Sequence, residues 1–374
     1  MTDSLASPAV GATAPDDMPL NGIDHIELHV GNAAQAAAFY REALGFREVA
    51  YAGLETGRRD CASHVLEQGG IRLVLTGALI AGHPVGRHVA AHGDGVKVVA
   101  LSVPDAEQAF RLAVERGAVP VSPPARSSDE HGEAVLATVR AYGPVVHTFV
   151  ERGAYAGAFL PGYAARSREA TGAGLLAIDH VVGNVALGDM EKWVGFYERV
   201  FGMRELNHFT DEAISTEYSA LMSKVLSDGT GRVKFPINEP AEGRRRSQID
   251  EFLEFHAGPG VQHLALTTED IVATVGALRE RGIEFLRTPD SYYEELPGRV
   301  GDIAEPLEEL RRHGILADRD DEGYLLQVFS RPLGDRPTLF IEVIERHGAT
   351  GFGHGNFKAL FEALEREQAL RGNL

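Results

Sequence analysis

One cysteine, Cys61, and one tryptophan occur in 374 residues. A single thiol excludes an internal disulfide framework, and with it the cysteine-rich ligand sets of structural zinc and iron–sulfur sites. Long hydrophobic runs are missing too: no stretch approaches the roughly 18 apolar residues that a membrane-spanning helix needs. Positive charge is scarce, with 36 Lys and Arg against 54 Asp and Glu for a net charge of −18. Nucleic acid and anionic membranes repel such a chain, so neither is an expected partner. The N-terminus lacks the basic start and apolar segment of a secretory signal. The expectation is a soluble, cytoplasmic protein of two domains, at ~100–200 residues per domain.

What is present is an internal echo. Ile23-Asp24-His25-Ile26 returns as Ile178-Asp179-His180-Val181, and Phe39-Tyr40-Arg41-Glu42 as Phe196-Tyr197-Glu198-Arg199. These copies lie 155 and 157 residues apart. Gly93-Asp94-Gly95-Val96 and Glu115-Arg116-Gly117 return 165 residues later as Gly258-Pro259-Gly260-Val261 and Glu280-Arg281-Gly282. Val150-Glu151-Arg152 matches Ile344-Glu345-Arg346. Short apolar strands are expected at 98–103, 262–266, 325–329 and 339–344. Each half reads as two modules of a strand, a helix and several strands, an α+β architecture whose concave sheet face makes a pocket. The boundaries predicted are a disordered tail at 1–21, a first domain at 22–153, a linker at 154–175 and a second domain at 176–374. A terminal helix from about Asn356 places Phe357, Leu360, Phe361 and Leu364 on one face.

The repeat serves as its own control. His180 matches His25, whereas His263 matches Val98 and Glu342 matches Thr148. The second half therefore presents His, His and Glu at strand positions where the first presents His, Val and Thr. Glu342 shares its strand face with Phe340 and Ile344, and a carboxylate among apolar neighbours is costly to bury without a partner. Two imidazoles and one carboxylate around an open-sided ion are such a partner, the 2-His-1-carboxylate facial triad of Fe(II) oxygenases. Any one buried histidine is more often a hydrogen-bonded core residue. His25, without companions, keeps that reading, and the first half should hold no metal. Gly351 to Asn356 lacks the Lys-Ser/Thr of a phosphate loop and reads as a mobile lid. Arg244-Arg245-Arg246 reads as a solvated run, Cys61 as inert and Trp193 as core packing.

Longer motifs carry a resemblance. Ser215-Thr216-Glu217-Tyr218-Ser219-Ala220-Leu221, Phe235-Pro236-Ile237-Asn238-Glu239-Pro240, Ser247-Gln248-Ile249-Asp250, Gly260-Val261-Gln262-His263, Leu325-Leu326-Gln327, Asp335-Arg336-Pro337-Thr338 and Gly351-Phe352-Gly353 running into Gly355-Asn356-Phe357-Lys358 resemble the 4-hydroxyphenylpyruvate dioxygenases of the vicinal-oxygen-chelate superfamily. The resemblance runs from about residue 20 onward and is strongest in the second half. It implies two tandem vicinal-oxygen-chelate domains, each of two βαβββ modules forming a half-open barrel, and a C-terminal gating helix. It implies one Fe(II) per chain on His180, His263 and Glu342. Catalytic positions fall on Gln248, Gln262, Asn238 and Ser223, and substrate-binding positions on Pro236, Gln327, Phe329, Phe340, Phe352, Asn356 and Phe357. Regular pleating turns Gln262 away from its neighbour His263, so its place there needs a bulge or an indirect role.

The implied reaction takes 4-hydroxyphenylpyruvate and O2 to homogentisate and CO2, a step of tyrosine and phenylalanine catabolism. No separate 2-oxoglutarate is needed, because the substrate is itself the 2-oxo acid. Phe329 and Phe357 would sandwich its ring. Homo-oligomers, dimers or tetramers, are the implied assembly. Two other readings compete. A 4-hydroxymandelate synthase uses the same substrate but hydroxylates the benzylic carbon, and carries Thr and Ile where this chain has Pro236 and Phe357. A non-catalytic small-molecule binder of the superfamily would need neither triad nor aromatic clamp.

Overall fold

The computed structural model describes residues 18–209, 220–241 and 246–372. Residues 1–17 of the expected tail, residues 215–219 of one motif, and Arg244 and Arg245 of the arginine run lie outside the described residues.

The first half contains strands β1 (Gly22–His29), β2 (Arg47–Ala52), β3 (Cys61–Gln68), β4 (Ile71–Ala78), β5 (Gly95–Ser102), β6 (Pro120–Asp129), β7 (Gly132–Arg140), β8 (Val146–Glu151) and β9 (Ala164–Arg168). Its helices are α1 (Ala33–Glu42), α2 (Pro84–His92) and α3 (Ala106–Glu115). The second half contains β10 (Ile178–Asn184), β11 (Arg204–Phe209), β12 (Ala220–Ser227), β13 (Lys234–Ala241), β14 (Gly260–Thr267), β15 (Leu316–Arg319), β16 (Tyr324–Phe329) and β17 (Phe340–His347). Its helices are α4 (Met190–Phe201), α5 (Gln248–Phe255), α6 (Ile271–Glu280), α7 (Asp290–Val300), α8 (Leu307–His313) and α9 (Phe357–Arg371).

Each half folds as one mixed sheet, ordered β6-β7-β8-β5-β1-β4-β3-β2-β9 and β15-β16-β17-β14-β10-β13-β12-β11. Apart from β9 the two orders agree strand for strand. In each, two βαβββ modules meet along an antiparallel pair, β1 with β5 or β10 with β14. The register repeats as well. Val98 faces Val146 and Ala100 faces Thr148 across β5 and β8. His263 faces Phe340 and Ala265 faces Glu342 across β14 and β17. Val98 and Thr148 thus occupy the places of His263 and Glu342.

Local chemistry sets the helix starts. The side chains of Asn32, Asp105 and Asp270 accept from Gln35, Gln108 and Ala273 N–H, capping α1, α3 and α6. Glu151 and Glu345, the echoed acids, accept from the first N–H of α3 and α6 at 3.0 and 2.7 Å. Helix α4 buries Val194, Tyr197, Val200 and Phe201 on one stripe, each worth about 1.5–3 kcal/mol on full burial. The Tyr197 hydroxyl lies 2.9 Å from His147 Nε2 and joins the halves, which share one continuous apolar core.

Two expected boundaries need correction. The expected tail runs through residue 21, yet Met18 and Leu20 are buried in the core and Asn21 N–H donates to Ser102 O. Two apolar side chains suffice to hold that stub down. The expected linker is also folded: β9 pairs with β2, and Phe159 and Leu160 are buried against the first sheet. Its glycine and alanine content hid two apolar anchors. Among the described residues no helix is long and apolar enough to cross a membrane.

Candidate active site

The β10–β14 ladder slips twice. Ile178 faces Leu266 and His180 faces Ala265, leaving Asp179 extra; Val182 faces His263 and Gly183 faces Val261, leaving Gln262 extra. A bulge suspends strict alternation, so neighbouring side chains reach the same side. Asp179 Oδ1 lies 2.8 Å from His180 Nδ1, and Gln262 Oε1 lies 2.9 Å from His263 Nδ1. With Nδ1–H donated to these oxygens, each ring turns its Nε2 lone pair inward. The two Nε2 atoms stand 3.2 and 3.3 Å from the same Oε2 of Glu342 on β17. Donors bound side by side to one ion at about 2.1 Å lie about 3.0 Å apart, so this spacing fits a shared cation. Among the described residues it is the one such cluster that is buried throughout.

Burial acts against charge on all three groups. It would raise Glu342, but His180 and His263 outweigh it and hold the carboxyl well below the usual range. Burial would lower His180, but Glu342 and Asp179 together raise it. His263 falls below the ordinary value because burial prevails there over Glu342. The histidines differ because one leans on a carboxylate and the other on a neutral amide. A buried carboxylate whose ion-pair partners are two imidazoles, each with its outer nitrogen occupied, is a donor set that a divalent ion completes.

Asp179 is itself anchored. Arg346 grips it with two bonds of 2.8 and 2.9 Å, and Lys234 stands at 3.3 Å. Two echoes far apart in the chain thus meet, since Asp179 belongs to one and Arg346 to the other. The first half repeats the arrangement: Asp24 takes His25 Nδ1 at 2.6 Å and Arg152 at 2.7 Å. Sequence reasoning overlooked Asp179 and Arg346, although both stood inside the quoted repeats.

Above the triad lies a cavity of about 60 Å3. That is well below the roughly 150 Å3 that holds one benzene ring. Ser223 and Val225 face Asn238 and Pro236 across β12 and β13, and all four line it. Gln248 enters at the start of α5, where Ser247 and Asp250 form a capping box. Gln262, Phe329, Phe340 and Phe352 complete the walls, and α9 closes the top with Phe357, Leu360, Phe361 and Leu364. Val182 and Val225 also line it, and their apolar side chains carried no signal.

Two expected pocket residues are elsewhere. Gln327 is fully buried between β15 and β17, lying beneath Gly353, where a Cβ would collide with its amide. Asn356 is held by the Tyr292 hydroxyl at 2.6 Å and Arg299 at 3.2 Å, which support the approach to α9. Phe352 lines the cavity, but it also packs edge-on against His180 with Arg346 over its face. Phe159 makes the same contacts with His25 and Arg152 in the first half. The shared contact is therefore structural. There Phe159 packs with Val98 in the apolar cluster, and no carboxylate joins His25 from position 148.

The glyoxalase/bleomycin resistance protein/dioxygenase superfamily matches residues 22–144 and 177–328. The chain is 46% identical to a 4-hydroxyphenylpyruvate dioxygenase of Aspergillus fumigatus, covering 94% of each chain. It is 45% identical to the 4-hydroxyphenylpyruvate dioxygenase of Dictyostelium discoideum, covering 95% of this chain and 100% of that one. A solved triple mutant of 4-hydroxymandelate synthase from Streptomyces coelicolor superposes with a TM-score of 0.85 at 39% identity, over 94% of this chain and 100% of that one. With triad, twin sheets and closing helix in view, the chain belongs to the 4-hydroxyphenylpyruvate dioxygenase family of that superfamily.

Proposed function

We propose that the chain is an Fe(II)-dependent dioxygenase that converts 4-hydroxyphenylpyruvate and O2 to homogentisate and CO2. The observation that carries this reading is the meeting of two imidazole nitrogens and a carboxylate oxygen within 3.3 Å beneath an aromatic-walled, helix-capped cavity. His180, His263 and Glu342 would hold the iron. Bound Fe(II) would chelate the 2-oxo acid and activate O2 for decarboxylation and ring hydroxylation.

The remaining tasks fall to side chains. Phe329, Phe340 and Phe357 offer ring faces and edges to an aromatic substrate. Ser223, Asn238 and Gln248 supply hydroxyl and amide groups on the wall, suited to orienting the phenol. The free space is smaller than the substrate, so α9 must withdraw for entry and return to exclude water. Pro236 and Phe357 favour ring over benzylic attack, as the resemblance implies. The assembly in which it works is a homo-oligomer.

Anaerobic loading with Fe(II), then 4-hydroxyphenylpyruvate and O2, tests the proposal. The expected product is homogentisate with one CO2 per O2 consumed. A benzylic alcohol, 4-hydroxymandelate, would instead assign synthase chemistry. Tight substrate binding without O2 uptake would reduce the chain to a binder.

A further inference from the structure

A second cavity, of about 520 Å3, lies between the ends of α6 and α8, the loop before α7, and α9, and shares no lining residue with the first. Its volume is within the roughly 300–1,000 Å3 range of small-molecule sites. Five arginines line it, Arg279, Arg287, Arg311, Arg312 and Arg366, against a single acid, Asp290. The imbalance is opposite in sign to the chain, whose net charge is −18.

Helix-end electrostatics explains part of this cluster. Arg279, Arg311 and Arg312 sit in last turns, where cations suit the helix dipole. It does not explain Arg287, in the loop before α7, or Arg366, midway along α9. Four separate elements bring these side chains to one opening. Arg312 is hydrogen-bonded to Glu309, and Arg311 lies 3.8 Å from Glu308. Among the described residues Arg279, Arg287 and Arg366 have no carboxylate partner; Arg279 donates to His313 O and Arg366 to Arg287 O, at 3.0 and 2.8 Å. Arg311 Nε is buried without an acceptor. Gathering like charges is unfavourable unless an anion joins them. Guanidinium forks match phosphate oxygens two at a time, and the three arginines without a carboxylate partner, offset by Asp290, leave two positive charges for such an anion to meet.

We propose that this cavity binds a diphosphate-bearing anion, and that the anion ties α9 to the loop before α7 through Arg366 and Arg287. The site is independent of the iron chemistry, yet it touches the helix that closes the other cavity, since Leu364 lines that cavity two residues from Arg366.

Calorimetric titration of the full chain with inorganic pyrophosphate tests the proposal. Saturable one-to-one binding is expected, at least tenfold tighter than for orthophosphate and weakened by added salt. Arg287→Ala and Arg366→Ala should each weaken it tenfold or more, and Arg287→Lys, which keeps the charge but not the fork, should recover only part of the loss. Arg126→Ala, a surface change in the first half, should leave it unaltered. Amide exchange across residues 357–371 should slow on pyrophosphate addition in the parent chain but not in Arg366→Ala. A parallel titration with adenosine diphosphate identifies the source: tighter binding than pyrophosphate assigns a nucleotide, and equal binding assigns the diphosphate alone. Absence of saturable binding, or binding indifferent to both alanine changes, overturns the proposal.

Discussion

Replacing Asp179 with Asn keeps the shape of the group and an oxygen for His180 Nδ1–H, but removes the charge. Two losses follow. The first is at the triad, where the outer partner of a metal-bound histidine typically changes metal affinity about 10–100-fold. The retained hydrogen bond puts the expected loss near the low end, about tenfold, or about 1.4 kcal/mol. The second is structural. Asp179 is buried, and Arg346 would lose two charge-assisted bonds of 2.8 and 2.9 Å. Breaking such a pair costs about 3–5 kcal/mol. The lower figure applies, because Arg346 keeps the carbonyls of Ala349 and Gly351. For a domain near 200 residues, about 3 kcal/mol lowers Tm by about 6–12 °C. Asp24→Asn is the internal control: it breaks the same ion pair with Arg152 beside a histidine that has no companions. It should lower Tm comparably and leave metal affinity unchanged. Anaerobic Fe(II) or Co(II) titration, paired with calorimetric melting, separates the two effects. Equal loss of metal affinity in both variants, or none in Asp179→Asn, would refute the reasoning.

Alanine at His180, His263 or Glu342 should abolish stoichiometric metal binding and turnover, while His25→Ala should keep both; metal analysis after gel filtration decides this. Ending the chain before α9 should leave metal binding intact but stop product formation or let O2 be consumed without homogentisate, as an oxygen electrode with product chromatography would report. Burial lowers the His147 pKa to about 4 from an ordinary 6.5. The unfolded chain therefore binds the extra proton first, and stability present above pH 6.5 is lost as pH falls towards 4, by up to about 1.4 kcal/mol per pH unit. Melting curves of His147→Gln should show a shallower acid limb than the parent. Gly353→Ala should lower Tm by several degrees, because Gly353 adopts a φ of 74° and its Cβ would strike Gln327.

The triad was legible because the duplication supplied a comparison inside one chain. Position by position, Val98 and Thr148 mark what an ordinary strand carries where His263 and Glu342 stand, and the paired registers repeat that alignment in space. Gln262 was harder. Two-residue alternation points it away, and only the slip opposite Val182 and Gly183 turns it back. A bulge has no composition of its own, so no residue type announces it. Gln327 lies off the cavity lining for a related reason: alternation gives its face but not its distance along the strand, and the loop at Gly353 covers it. The linker misled because β9 and Phe159 lie among small residues, and a five-residue strand with three paired positions produces little hydrophobic period. The α9 face was readable because Phe357, Leu360, Phe361 and Leu364 keep helical spacing, and all four line the cavity.

The slipped ladder has a consequence for how such a centre is inherited. Each ring and the group that steers it are next-door neighbours, so Asp179-His180 and Gln262-His263 travel as two-residue cassettes. Copying or shifting a short segment carries tautomer control along with the ligand, without waiting for a distant substitution to match it. Duplicating this sheet would therefore hand on half of a centre ready-made, as Asp24-His25 still shows.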